Sequence, residues 1–146
     1  SSREISHYPC DTFTKYPAAC YRYHVARWKS MHTLQQIIDE CLKLEERSRV
    51  GCFHGIGHAY FRNVVEKKFK LSDICTLGNV YDQMMCIDGV VGSLSDYQNR
   101  DAAYNTCYTL EGTTLLSHCL RAVEYGIVSG METFFELYKE NVTETE

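Results

Sequence analysis

The sequence predicts an all-α fold, an array of short helical hairpins stapled by disulfide bonds. Three observations predict it. Eight cysteines recur at regular intervals, apolar residues keep helical spacing between them, and the only two prolines, Pro9 and Pro17, both precede Cys20. Helical spacing places apolar side chains three and four residues apart on one face, and no stretch sustains the two-residue alternation of a half-buried strand. With no proline beyond Pro17, nothing interrupts the later helices.

The cysteines fall into four sequential pairs: Cys10 with Cys20, Cys41 with Cys52, Cys75 with Cys86, and Cys107 with Cys119. The second members recur at intervals of 32, 34 and 33 residues, a period that marks a repeat of helix–turn–helix units. Aligned on those cysteines the chain reads CYRYHVARW, CFHGIGHAYF, CIDGVVGSLS and CLRAVEYGIV, with Tyr23, Gly55, Gly89 and Ala122 in one column. The first members also share a setting, in IIDECLKL, LSDICTL and AYNTCYTL. The units run near 10–40, 41–74, 75–106 and 107–140 within a single domain, 1–146.

Individual elements follow from local pattern. In TLQQIIDECLKLEE, residues Leu34, Ile37, Ile38, Cys41, Leu42 and Leu44 keep helical spacing, and Thr33 is placed to cap the start. DAAYNTCYTL is a shorter amphipathic piece that ends at Glu111-Gly112. A helical pattern continues from Leu120 to Leu137, weakened at Gly126 and Gly130. Gly55, Gly57, Gly89, Gly92, Gly126 and Gly130 all lie in predicted helices, where each costs about 1 kcal/mol relative to alanine. Close approach of neighbouring helices is the favoured compensation; space cleared for a ligand is the alternative. Each cysteine pair then joins the end of one helix to the start of the next. The competing scheme, Cys20 with Cys41, Cys52 with Cys75 and Cys86 with Cys107, strands Cys10 and Cys119. Spacing alone does not settle the connectivity.

In repeat length and helix pairing this architecture is similar to tetratricopeptide and Sel1-like repeat proteins, including bacterial cysteine-rich ones. The tetratricopeptide Trp, Leu-Gly and Pro pattern is absent, and the cysteine spacing departs from the Sel1-like one. The resemblance implies a solenoid that binds a protein or peptide.

Composition narrows the function classes. At 146 residues and 45% apolar residues, one domain with a real core is expected rather than disorder. The net charge of −4 argues against nucleic acid or an anionic membrane as the main partner. No apolar run approaches the roughly 20 residues of a membrane helix. The start, Ser1-Ser2-Arg3-Glu4, lacks a signal-peptide layout and reads as a mature or excised domain. Eight cysteines without a C-x-x-C pair indicate disulfides rather than zinc thiolates. The expected setting is therefore secreted, periplasmic or the extracellular face of a membrane protein. Asn141-Val142-Thr143 fits a glycosylation acceptor.

The candidate chemistry centres on CFHGIGHAYF. His54 and His58 stand four residues apart, a spacing that puts both imidazoles on one helix face. Two imidazoles so placed can chelate a transition metal, with zinc or copper the candidates. Asp88 occupies the column of His54 one repeat later, and His24 lies on the equivalent helix one repeat earlier. Both are candidate further ligands. Tyr23, Gly55, Tyr60 and Gly89 are the candidate lining of an adjoining ligand groove. His7, His32 and His118 are expected to be surface or packing residues. No zinc-protease Glu follows His54, no nucleophile elbow surrounds Ser93, Ser95 or Ser129, and no phosphate-cradling loop is present. The expectation is a binding domain with a divalent transition-metal site. A metal-free protein or peptide interaction module is the alternative, and a metal-dependent enzyme the second alternative.

Overall fold

The computed structural model describes residues 4–12, 15–97 and 99–126. Among the described residues there are seven helices and no strand: α1 Pro17–Lys29, α2 Leu34–Leu42, α3 Glu46–Val65, α4 Leu71–Ile74, α5 Val80–Tyr97, α6 Arg100–Tyr108 and α7 Leu116–Tyr125.

The helix starts follow from local side-chain chemistry. Thr33 accepts the amide of Gln36 while the Gln36 side chain accepts the amide of Thr33, a reciprocal cap that fixes the start of α2. Glu45 begins α3 by accepting the amides of Ser48 at 2.8 Å and Arg47 at 3.0 Å. Asn79 and Asp82 exchange bonds at the start of α5, the Asn79 carbonyl group accepting the Asp82 amide and the Asp82 carboxylate accepting the Asn79 amide. Before this cap the chain turns at Gly78, whose φ of 82° suits a residue without Cβ. The helix that precedes this turn, α4, is a single turn of four residues. Gly126 is not inside a helix as its pattern predicts. It ends α7 with φ 79°, a left-handed termination that glycine tolerates. Gly130 and Asn141 lie outside the described residues.

The long helices lie side by side, α3 between α1 and α5, and α5 between α3 and α7. Ala18 meets Gly51 and Arg22 meets Gly55 across the first seam, while Gly57 meets Gly89 across the second. Residues about one repeat apart therefore touch, so α1, α3 and α5 run in the same direction. A Cβ added at Gly57 would collide with the Cys86 carbonyl oxygen and lie 3.0 Å from the Gly89 Cα. Gly51, Gly55, Gly57 and Gly89 allow backbone contact at these seams, which offsets their propensity cost. Trp28, Phe53, Ile37, Ile38, Ile56, Ile87 and Leu94 fill the core between the helices.

Four disulfides close the turns: Cys10–Cys20, Cys41–Cys52, Cys75–Cys86 and Cys107–Cys119, with Cα separations of 5.3 to 5.6 Å. This is the sequential pairing, and the competing scheme falls. Such loops constrain the unfolded chain by about 3 kcal/mol each. Four disulfides fit an oxidising or extracellular compartment. No helix among the described residues is long and apolar enough to cross a membrane.

Candidate functional site: the His54–His58 pair

The central helix α3 carries both histidines on the face turned toward α5. The close crossing at Gly57 and Gly89 brings the α5 backbone within reach of the imidazoles. His54 Nδ1 lies 2.9 Å from the Met85 carbonyl oxygen, and His58 Nδ1 lies 2.7 Å from Ser93 Oγ. The two Nε2 atoms face each other at 3.0 Å, with ring centroids 4.5 Å apart and planes at 77°.

The carbonyl fixes one tautomer. Oxygen of Met85 can only accept, so His54 carries its proton on Nδ1 and presents a lone pair at Nε2. Two arrangements then satisfy the rest. In the first, His58 donates its Nε2–H to His54 Nε2, and the Ser93 hydroxyl donates to His58 Nδ1. In the second, His58 donates Nδ1–H to Ser93 Oγ, both Nε2 lone pairs converge, and a cation must lie between them. Ser93 serves either, because a hydroxyl both donates and accepts.

Electrostatics keep the pair neutral. Burial lowers the pKa of His54, with the Arg22 guanidinium acting in the same direction and the Met85 carbonyl and Asp88 in the other. His58 is pushed down to about 3, first by burial, then by His54 and Arg22. Both imidazoles thus keep free electron pairs across the whole physiological range, which is the state a metal requires.

The other expected ligands are placed elsewhere. Asp88 is buried, but its Oδ1 lies 2.7 Å from Nε2 of His118 on α7. His24 Nε2 lies 2.9 Å from the Ser6 carbonyl oxygen and its ring stands edge-on to Trp28. Among the described residues no group of three His, Cys, Asp or Glu side chains comes together to hold a metal ion. The four expected groove residues are also spread apart. Tyr23 is exposed beneath the Arg22 guanidinium, whereas Tyr60 is buried beside the Lys29 ammonium. The Gly55 and Gly89 Cα atoms face helix backbones in the two seams.

Two partners escaped the sequence reading, Ser93 and the Met85 carbonyl, and so did the role of His118. Ser93 follows the column of His58 by one residue, an offset that repeat alignment does not reveal. A main-chain carbonyl leaves no sequence signal at all. His7, expected to be unremarkable, bridges Tyr21 Oη at 2.8 Å and Glu40 Oε1 at 2.7 Å.

A concavity lies at the C-terminal end of α3. It has a volume of about 630 Å³ and is enclosed by Val64, Val65, Phe69, Leu71 and residues of α6. Compared with known proteins, the chain matches no family model, no curated protein and no solved structure.

Proposed function

We propose that this domain is an extracytoplasmic binding module with a two-imidazole site for a divalent transition metal, zinc or copper, at His54 and His58. One observation carries the reading. Both Nδ1 atoms are anchored by groups on α5, while both Nε2 atoms converge to 3.0 Å. Histidines that ligate metals commonly engage the other ring nitrogen in this way, which sets the tautomer and aims the lone pair. Asp88 and His24 are left out of the ligand set, so the remaining coordination positions fall to water or a bound partner. The stacked hairpins are read as a solenoid of the tetratricopeptide or Sel1-like kind, with hairpin turns closed by disulfides. A bound metal would polarise a coordinated water, and an enzymatic role would require substrate access to it.

A metal-free interaction module is the second reading. It is favoured by the first of the two tautomer arrangements, which leaves no buried side-chain nitrogen or oxygen unsatisfied among the described residues. The Arg22 cation also opposes positive charge at the pair. Calorimetric titration with zinc and with copper decides between them, using protein free of any polyhistidine tag. Stoichiometric binding that is lost in His54→Gln/His58→Gln supports the metal site. Equal affinity in the wild type and the double variant removes it and leaves the interaction module.

A further inference from the structure

We propose that the groove between the end of α3, α4 and α6 binds a small amphipathic carboxylate, with its head at Lys67 and Lys70 and its apolar tail over Val64, Val65, Phe69 and Leu71. This site lies at the C-terminal end of α3, beyond His58, and shares no lining residue with the histidine pair, so it does not depend on a metal there.

The lining divides by chemistry. Its floor is apolar, and no acidic residue lines the groove. On the α6 wall, the Thr106 and Thr109 hydroxyls donate to the carbonyl oxygens of Ala102 and Thr106, at 2.9 and 2.6 Å. With those hydrogens spent, the threonines present methyl groups and acceptor oxygens, which repel an anion. Asn105 adds a neutral side-chain amide to that wall and Ser72 a hydroxyl beside α4, so the only positive charges lining the groove are Lys67 and Lys70. Lys68 pairs with Glu66 at 3.2 Å, whereas Lys67 and Lys70 have no ion pair among the described residues. Lys67 stands in the left-handed region at φ 61°, just past the end of α3, where glycine is the usual residue.

Size and overall charge select the class of ligand. A volume of about 630 Å³ falls within the roughly 300–1,000 Å³ of small-molecule sites. The net charge of −4 opposes an extended anionic surface such as a membrane. A local pair of free ammonium groups above an apolar floor suits one small anion with a hydrocarbon tail.

Decanoate, kept below its micelle-forming concentration, is the probe. Its binding is followed by calorimetry and by amide shift changes in ¹⁵N-labelled protein, with decyltrimethylammonium as the oppositely charged comparator. Decanoate is expected to bind, with shifts confined to residues 64–72 and 102–109, and the ammonium comparator to bind at least tenfold more weakly. Lys67→Gln/Lys70→Gln should weaken decanoate about tenfold, the sum of two exposed ion pairs. Ala102→Phe, which fills the groove, should abolish binding; because both lysines are exposed, the lysine variant remains informative even if Ala102→Phe fails to fold. No decanoate binding in the millimolar range, equal binding of the two amphiphiles, an unaltered affinity in the lysine variant, or shifts mapped elsewhere would each overturn the proposal.

Discussion

Gly57→Ala tests the packing that places the histidines. In a solvent-exposed helix this change is stabilising by about 1 kcal/mol, because alanine has the better helix propensity. Here the new Cβ would collide with the Cys86 carbonyl oxygen and lie 2.9 Å from the Val90 nitrogen. Both obstacles are backbone atoms of α5, which no rotamer change can move aside. The helices must separate, and the buried contacts of Ile56, Ile87 and Val90 along the seam are loosened. Overpacking of this kind costs about 1–3 kcal/mol. With backbone obstacles on α5 the cost falls at the upper end of that range, and less the roughly 1 kcal/mol gained in propensity the net loss is about 2 kcal/mol, or a fall in Tm of about 6 °C for a chain of this size. Denaturant and thermal unfolding with the disulfides intact measure it. Ser95→Ala, at an exposed position of α5, serves as the control and should stay within about 0.5 kcal/mol. A Gly57→Ala protein as stable as the wild type would refute the close crossing and the histidine placement that rests on it.

Acid should weaken the fold in a defined window. Both folded-state pKa values lie below the ordinary value of 6.5, so the neutral pair contributes stability that is complete above that value and is lost as pH falls through the folded-state values, about 3 for His58. The slope is at most about 1.4 kcal/mol per pH unit per histidine. Unfolding measured between pH 7 and 5, above the carboxylate range, should show it, and His54→Gln/His58→Gln should flatten it; an equal slope in the variant contradicts the burial argument. Peptide mapping without reduction should recover the four sequential cysteine pairs, and Cys41→Ser/Cys52→Ser should cost about 3 kcal/mol in urea unfolding. Recovery of a Cys20–Cys41 peptide would contradict the hairpin closure. Asp88→Asn and His24→Gln should each change zinc affinity by less than tenfold in calorimetric titration, since neither side chain reaches the pair. Abolished binding in either would return that residue to the ligand set.

Much of the scaffold is legible in the cysteines alone. Their spacing gives the period and favours the sequential pairing, which the four disulfides adopt. Thr33 also caps α2 as its position implies, because the cap is built entirely from residues three apart in the chain. Side-chain partners across seams are less legible. Asp88 shares the alignment column of His54, yet its carboxylate turns to His118, since α5 has α3 on one side and α7 on the other. A column in the alignment fixes height along the stack and leaves open which neighbouring helix the side chain meets. The groove at Lys67 was illegible for a related reason. Its walls come from the end of α3, from α4 and from α6, and the helix that precedes α5 is a single turn, whereas those that precede α3 and α7 have nine residues each. The i, i+4 spacing of His54 and His58 carried over directly, because the helix itself enforces it.

The most direct test of the two-imidazole site is imidazole ¹⁵N resonance spectroscopy at neutral pH, before and after one equivalent of zinc. The account predicts that His54 and His58 keep their Nδ1 protons while both Nε2 resonances move together to metal-bound positions, and that His24 and His118 stay unchanged. Retention of the His58 Nε2 proton in the presence of zinc, with both rings unshifted, would contradict it and leave the pair as a neutral hydrogen-bonded bridge between α3 and α5.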